Sequence, residues 1–101
     1  MAVNLKAITS SLGYQQITSL SSATNLTVPA VDRLGNKQQA TIALITPEAQ
    51  AVRWRDDGIA PTATVGMPLA VGVTLQYDGD LTNIQFFEQA SGAKLNISYY
   101  A

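Results

Sequence analysis

The chain contains no cysteine and no histidine in its 101 residues. Without thiols there is no disulfide framework, which excludes a disulfide-stapled mini-protein. Without thiolates and imidazoles the commonest ligands for zinc, iron and copper are missing. Cys–His and Ser–His relays are excluded on the same ground. Charge is also scarce, since Asp, Glu, Lys and Arg make up 13% of the chain with a net charge of −1. About 25% is usual for a soluble domain. A nucleic-acid binder needs a basic footprint, and none is present. No apolar run approaches the ~20 residues of a membrane-spanning helix. The opening MAVNLKAITSSLG has no apolar stretch long enough for a signal-peptide core, so the chain reads as made and kept in the cytosol. The expectation is no cofactor, no metal, no nucleic-acid partner and no membrane partner.

Hydrophobic residues reach 47%, the ordinary share for a globular fold. A chain of this length is one domain. Its polar surface must then be built from Ser, Thr, Asn and Gln rather than from charges, which suits a protein packed against neighbours. Two sequons, Asn25-Leu-Thr27 and Asn96-Ile-Ser98, match the glycosylation pattern but read as ordinary strand residues here.

Alternation of apolar and polar residues dominates, with no sustained helical period. Leu26 and Val28 flank Thr27, Val52 and Trp54 flank Arg53, and Val73, Leu75 and Tyr77 flank Thr74 and Gln76. Ile84 and Phe86 oppose Gln85 and Phe87, while Leu95, Ile97 and Tyr99 oppose Asn96, Ser98 and Tyr100. The run Thr41-Ile42-Ala43-Leu44-Ile45 is apolar throughout, and Ile42 and Leu44 are assigned to the core. With a weaker strand near 14–20 this makes about seven to eight short strands, the signature of an all-β fold. The expectation is an antiparallel β-sandwich of jelly-roll type over residues 12–101, preceded by an N-terminal arm over residues 1–11.

Chemistry concentrates between Val52 and Leu81, which holds the only Trp, two of three Arg and four of five Asp. Arg53 and Arg55 share one strand face, spaced to meet a carboxylate or phosphate surface. The competing reading pairs them with Asp56, Asp57 or Glu88 while Trp54 fills the core. Asp56, Asp57, Asp78 and Asp80 suggest an oxygen-ligand calcium site, but the D-x-[DN]-x-[DN]-G loop pattern is not met, and Asp-Gly turns explain them. Nothing in the sequence sets two carboxylates across a cleft for glycoside hydrolysis. Phe87 and Tyr100 each follow an inward residue and point outward, as interface aromatics do. The loop DRLGNKQQ, residues 32–39, is an exposed hairpin tip that adds Arg33 and Lys37 as contact candidates.

The second half, QAVRWRDDGIAPTATVGMPLAVGVTLQYDGDL followed by NIQFFEQASGAKLNISYYA, resembles small virion structural proteins of tailed bacteriophages and prophages. The resemblance covers about residues 43–101; residues 1–40 carry nothing comparable. It implies a non-enzymatic virion component made in the host cytoplasm. Capsid decoration, or cement, is the role that fits its size, with the major capsid protein and further copies of itself, as dimer or trimer, for partners. A tail, adaptor or fibre-associated part and a carbohydrate- or receptor-binding β module are the alternatives.

Overall fold

The computed structural model describes residues 10–32 and 34–101. Eight strands follow one another: β1 Ser11–Ile17, β2 Thr24–Asn25, β3 Ile42–Glu48, β4 Val52–Arg55, β5 Met67–Leu69, β6 Leu75–Tyr77, β7 Gln85–Glu88 and β8 Lys94–Tyr100. They form two antiparallel four-stranded sheets with orders β1-β8-β3-β6 and β2-β7-β4-β5. The pairs β1/β8, β2/β7, β3/β6 and β4/β5 are therefore nested, as in one long hairpin rolled up on itself. The ladders β8/β3 and β7/β4 join the turns of the roll. This is the jelly-roll connectivity, and the all-β sandwich expected from alternation is what the chain forms. Residues 1–9 of the expected arm, like Arg33, lie outside the described residues. Ser10 and Ala101 exchange backbone hydrogen bonds at 3.3 and 3.1 Å, extending the β1/β8 ladder.

The core lies between the sheets. Ile45, Val52, Ile84, Phe86, Leu95 and Ile97 are completely buried. In β8 the inward set Leu95, Ile97 and Tyr99 alternates with Asn96, Ser98 and Tyr100, as the pleat requires. β3 reverses the expectation, because Ala43, Ile45 and Pro47 face inward while Ile42 and Leu44 are half-buried on the outer side. Both parities of that strand are apolar, so its own sequence cannot choose. The cross-strand register chooses: Ala43 lies opposite Tyr99 on one side and Tyr77 on the other. A methyl group between two phenol rings leaves room for both, which Leu44 in the same row would not. Val73, assigned to the core, is instead exposed in the turn closed by Val73 N–H to the Ala70 carbonyl.

β3 also runs past the apolar run 41–45 and through Pro47. The Pro47 carbonyl accepts from Gly72 N–H at 3.0 Å, so it points away from β8. The missing N–H lies on that same side, beyond the end of β6 opposite Ile45, and no ladder bond is lost. The chain then crosses to the other sheet through a tight γ-turn. Gln50 N–H bonds the Glu48 carbonyl at 2.9 Å, with Ala49 at φ 72°, alone among the described non-glycine residues at positive φ. An L-residue pays steric strain there. Ala49→Gly is expected to raise stability by about 0.5–1 kcal/mol. The check is a higher urea midpoint at unchanged slope.

Candidate docking site

β4 runs along the middle of its sheet, between β7 and β5, and carries Arg-Trp-Arg to one end of the sandwich. Trp54 faces the other sheet and meets Tyr77 edge-on, with ring centroids 5.9 Å apart at 64°. The two arginines have separate partners. Arg53 turns to the loop 56–66, donating from Nε to the Ala63 carbonyl at 3.3 Å and from Nη1 to the Gly66 carbonyl at 2.8 Å. Arg55 grips Asp57 with both arms of its guanidinium, Nε to Oδ1 at 3.0 Å and Nη2 to Oδ2 at 2.5 Å. The Arg55 guanidinium holds the Asp57 carboxyl below the usual carboxylate range, and the same bond raises Arg55. An exposed pair adds little to folding. Its effect is to fix a flat, charge-neutral group beside the indole.

Asp56 serves the scaffold. Its Oδ2 accepts from the Tyr77 hydroxyl at 2.6 Å, and its carbonyl accepts from Asn83 Nδ2 at 2.6 Å. Gly79 makes room for that phenol, since a Cβ there would sit 2.4 Å from the Tyr77 hydroxyl oxygen. Asp80 caps its own turn by accepting from Thr82 N–H and Oγ1. Among the described residues, no three Asp or Glu side chains gather as a metal site.

The loop 56–66 is held by Arg53, by buried Pro61 and by Val65 N–H bonding Thr62 Oγ1 at 3.0 Å. It folds back beside Trp54 and leaves an open hollow of about 470 Å³, lined by Trp54, Arg55, Asp57, Val65, Gly66 and Met67. Ile59, Val65 and Met67 expose 58%, 51% and 57% of their surface in this segment. Exposed apolar side chains beside an aromatic ring and a neutralised ion pair are the makings of a protein-docking surface.

The other residues singled out from the sequence are dispersed. Phe87 lies opposite Arg53 on the outer side of one sheet, and Tyr100 lies opposite Ile42 on the outer side of the other. Both are half-buried, and they cannot meet one partner together. Lys37 is exposed and bridges back to Val31 at the hairpin tip. That tip is shaped by Asp32, whose Oδ1 accepts from Leu34 and Asn36 N–H at 2.9 Å each. The Asn36 backbone bond is the main cause that draws the Asp32 carboxyl below its ordinary range. Leu34 beside it is the most exposed large apolar residue among those described, at 86%. Ile59, Val65, Met67 and Leu34 escaped the sequence reading. The signal available for three of them was apolar side chains in Gly- and Pro-rich loops, away from any alternating run.

Two phenols set an alkaline limit to the fold. Burial, then the hydrogen bond to Asp56, raises Tyr77 from 10.0 to about 12. Burial raises Tyr99 as well, whose hydroxyl donates to Gln15 Oε1 at 2.6 Å. The folded state therefore keeps protons that the unfolded chain releases near pH 10. This stabilisation is complete below about pH 10 and is lost as pH rises towards 12. Urea midpoints are expected to fall across that window, and Tyr77→Phe is expected to flatten the fall.

No family model, curated protein or solved structure matches this chain.

Proposed function

We propose that this protein is a non-enzymatic structural component of a phage particle, a decoration protein that binds the outer surface of the head and stabilises it. The observation that carries the reading is the hollow beside Trp54, with Ile59, Val65 and Met67 exposed around a closed Arg55–Asp57 pair. Such a surface docks by apolar contact and shape, with little electrostatic steering. A jelly-roll scaffold, with no helix among the described residues, offers a rigid frame for it. The resemblance noted in the sequence of residues 43–101 suggests the particle as partner, by analogy.

Purified particles are expected to contain the chain in fixed proportion to the major capsid protein. Met67→Asp, at an exposed position, should abolish loading on heads while the variant stays folded. Particles that lack the chain altogether would sink the reading. A copy number of only a few to dozens per particle would move the chain to the tail or an adaptor. An indole beside an open hollow also suits a sugar ring, and flat titrations across a glycan panel would dismiss that alternative.

A further inference from the structure

A sheet edge is a row of unpaired N–H and C=O groups, and proteins normally blunt each edge with shortness, proline or charge. The sandwich has four edges: β1 and β6 in one sheet, β2 and β5 in the other. β2 has two residues, β6 has three, and β5 has three with Pro68 at its centre. β1 differs from all of them. It has seven residues, Ser-Leu-Gly-Tyr-Gln-Gln-Ile, with no proline and no charge. It pairs with β8 on one side, and among the described residues no strand lies on its other side. A bulge between Ser11 and Gly13 disturbs one end only, leaving Tyr14–Ile17 in regular register with β8.

Among the described residues, the Tyr14 and Gln16 side chains turn away from this edge towards β8. Tyr14 is 65% exposed, yet its hydroxyl donates to Asn96 Oδ1 on β8, which draws the ring across the sheet and away from the edge. Gln16 Nε2 donates to the same oxygen at 3.0 Å. Thr27 N–H, in the segment after β2, goes to the Gln15 side chain at 3.1 Å rather than to the β1 backbone.

We infer that the β1 edge pairs antiparallel with the β1 edge of a second copy, joining two four-stranded sheets into one continuous eight-stranded sheet across a two-fold axis. Self-pairing suits this segment because no charge on 11–17 would meet its own copy. A two-fold contact uses one patch twice and closes, and the blunted remaining edges stop further growth. Opposite residues of an antiparallel pair face the same side, so the axis passes through a residue. Centred on Gln15, it sets Tyr14 against Gln16 of the partner subunit. Centred on Gln16, it sets the two Gln16 side chains against each other. Either centring brings the two residues 16 within about 8 Å on the outer face. The pairing does not depend on the particle reading: a monomer that still loads on heads would remove the pairing and leave the function standing.

The test is sedimentation equilibrium of the full chain from 1 μM upward. The wild type is expected to double its 10.7 kDa mass with rising concentration and to stop there. Gln16→Lys and Gln16→Glu should each weaken dimerisation at least tenfold, by like-charge repulsion at the axis. An equimolar mixture of the two should restore it, which a merely misfolded variant could not do. A second measurement needs no variant: amide exchange at residues 14–17 should slow as wild-type concentration rises. A wild type that stays monomeric, an assembly that grows beyond two, or charged variants that dimerise like the wild type would each overturn the inference.

Discussion

Phe86→Ala is expected to cost about 3–5 kcal/mol, enough to leave the domain partly unfolded at room temperature. Phe86 is completely buried and is among the largest such side chains, with Tyr99. It sits on β7 between Thr24 and Trp54 in cross-strand register, so its ring fills the core beside the residue that lines the hollow. Removing it loses the transfer free energy of the ring and leaves a cavity that a sandwich held by two rigid ladders cannot collapse to fill. The melting temperature should fall by at least ~12 °C, taking about 4 °C per kcal/mol for a domain of this size. Phe87→Ala tests the parity. That ring is on the outer side of the same strand and half-buried, and its removal should cost well under half as much. Equal losses would show that the inward face has been misassigned.

Gly66→Ala should cost about 2–4 kcal/mol and reshape the hollow. Gly66 has φ +136°, and a Cβ there would lie 3.1 Å from Arg53 Cβ, 3.1 Å from the Trp54 carbonyl oxygen and 3.2 Å from Pro61 Cβ. A backbone carbonyl and a Cβ cannot swing aside as the tip of a side chain can. The loop must therefore move, taking with it the Gly66 carbonyl that Arg53 holds. Gly58→Ala is the matched control. It has φ +83° and nothing within 4 Å of its would-be Cβ, so only the backbone conformation is strained, at about 1 kcal/mol. Urea unfolding of the two variants separates the contributions. If both lose the same amount, close packing at Gly66 contributes nothing. If the chain decorates heads as proposed, Gly66→Ala should lower head binding by more than its stability loss explains, because the lining beside Trp54 shifts.

The site was half legible before the fold was known. Arg53, Trp54 and Arg55 stand as a cluster in the sequence, and period-2 geometry puts both arginines on one side of β4. What alternation could not reveal is where each guanidinium ends. Arg53 is taken by two loop carbonyls 10 and 13 residues ahead of it, a contact that exists only once loop 56–66 folds back. Arg55 finds Asp57 two residues away, a local pairing that the sequence did suggest. Ile59 and Val65 follow no period, so their exposure depends on the path of that loop. Alternation points Phe87 and Tyr100 outward, but a linear pattern carries no information on which sheet a strand joins, and they lie on opposite sides of the molecule.

Alternation along 52–55, 75–77, 84–87 and 94–100, with Asp-Gly and Gly-Ala turns between, determined by itself that this chain is a two-layer β protein with Phe86, Leu95, Ile97 and Tyr99 inside. A strand's period is a local property, and one polar face suffices to orient it. Tertiary structure alone decided the rest. The inward parity of β3 came from two tyrosines in neighbouring strands with room for only a methyl between them. The strand order came from the nested pairing that rolls the chain up, since which strands meet depends on burying both apolar faces at once. The same roll decided that β1, a neutral segment unremarkable in sequence, stands at an edge, with no described strand on its other side.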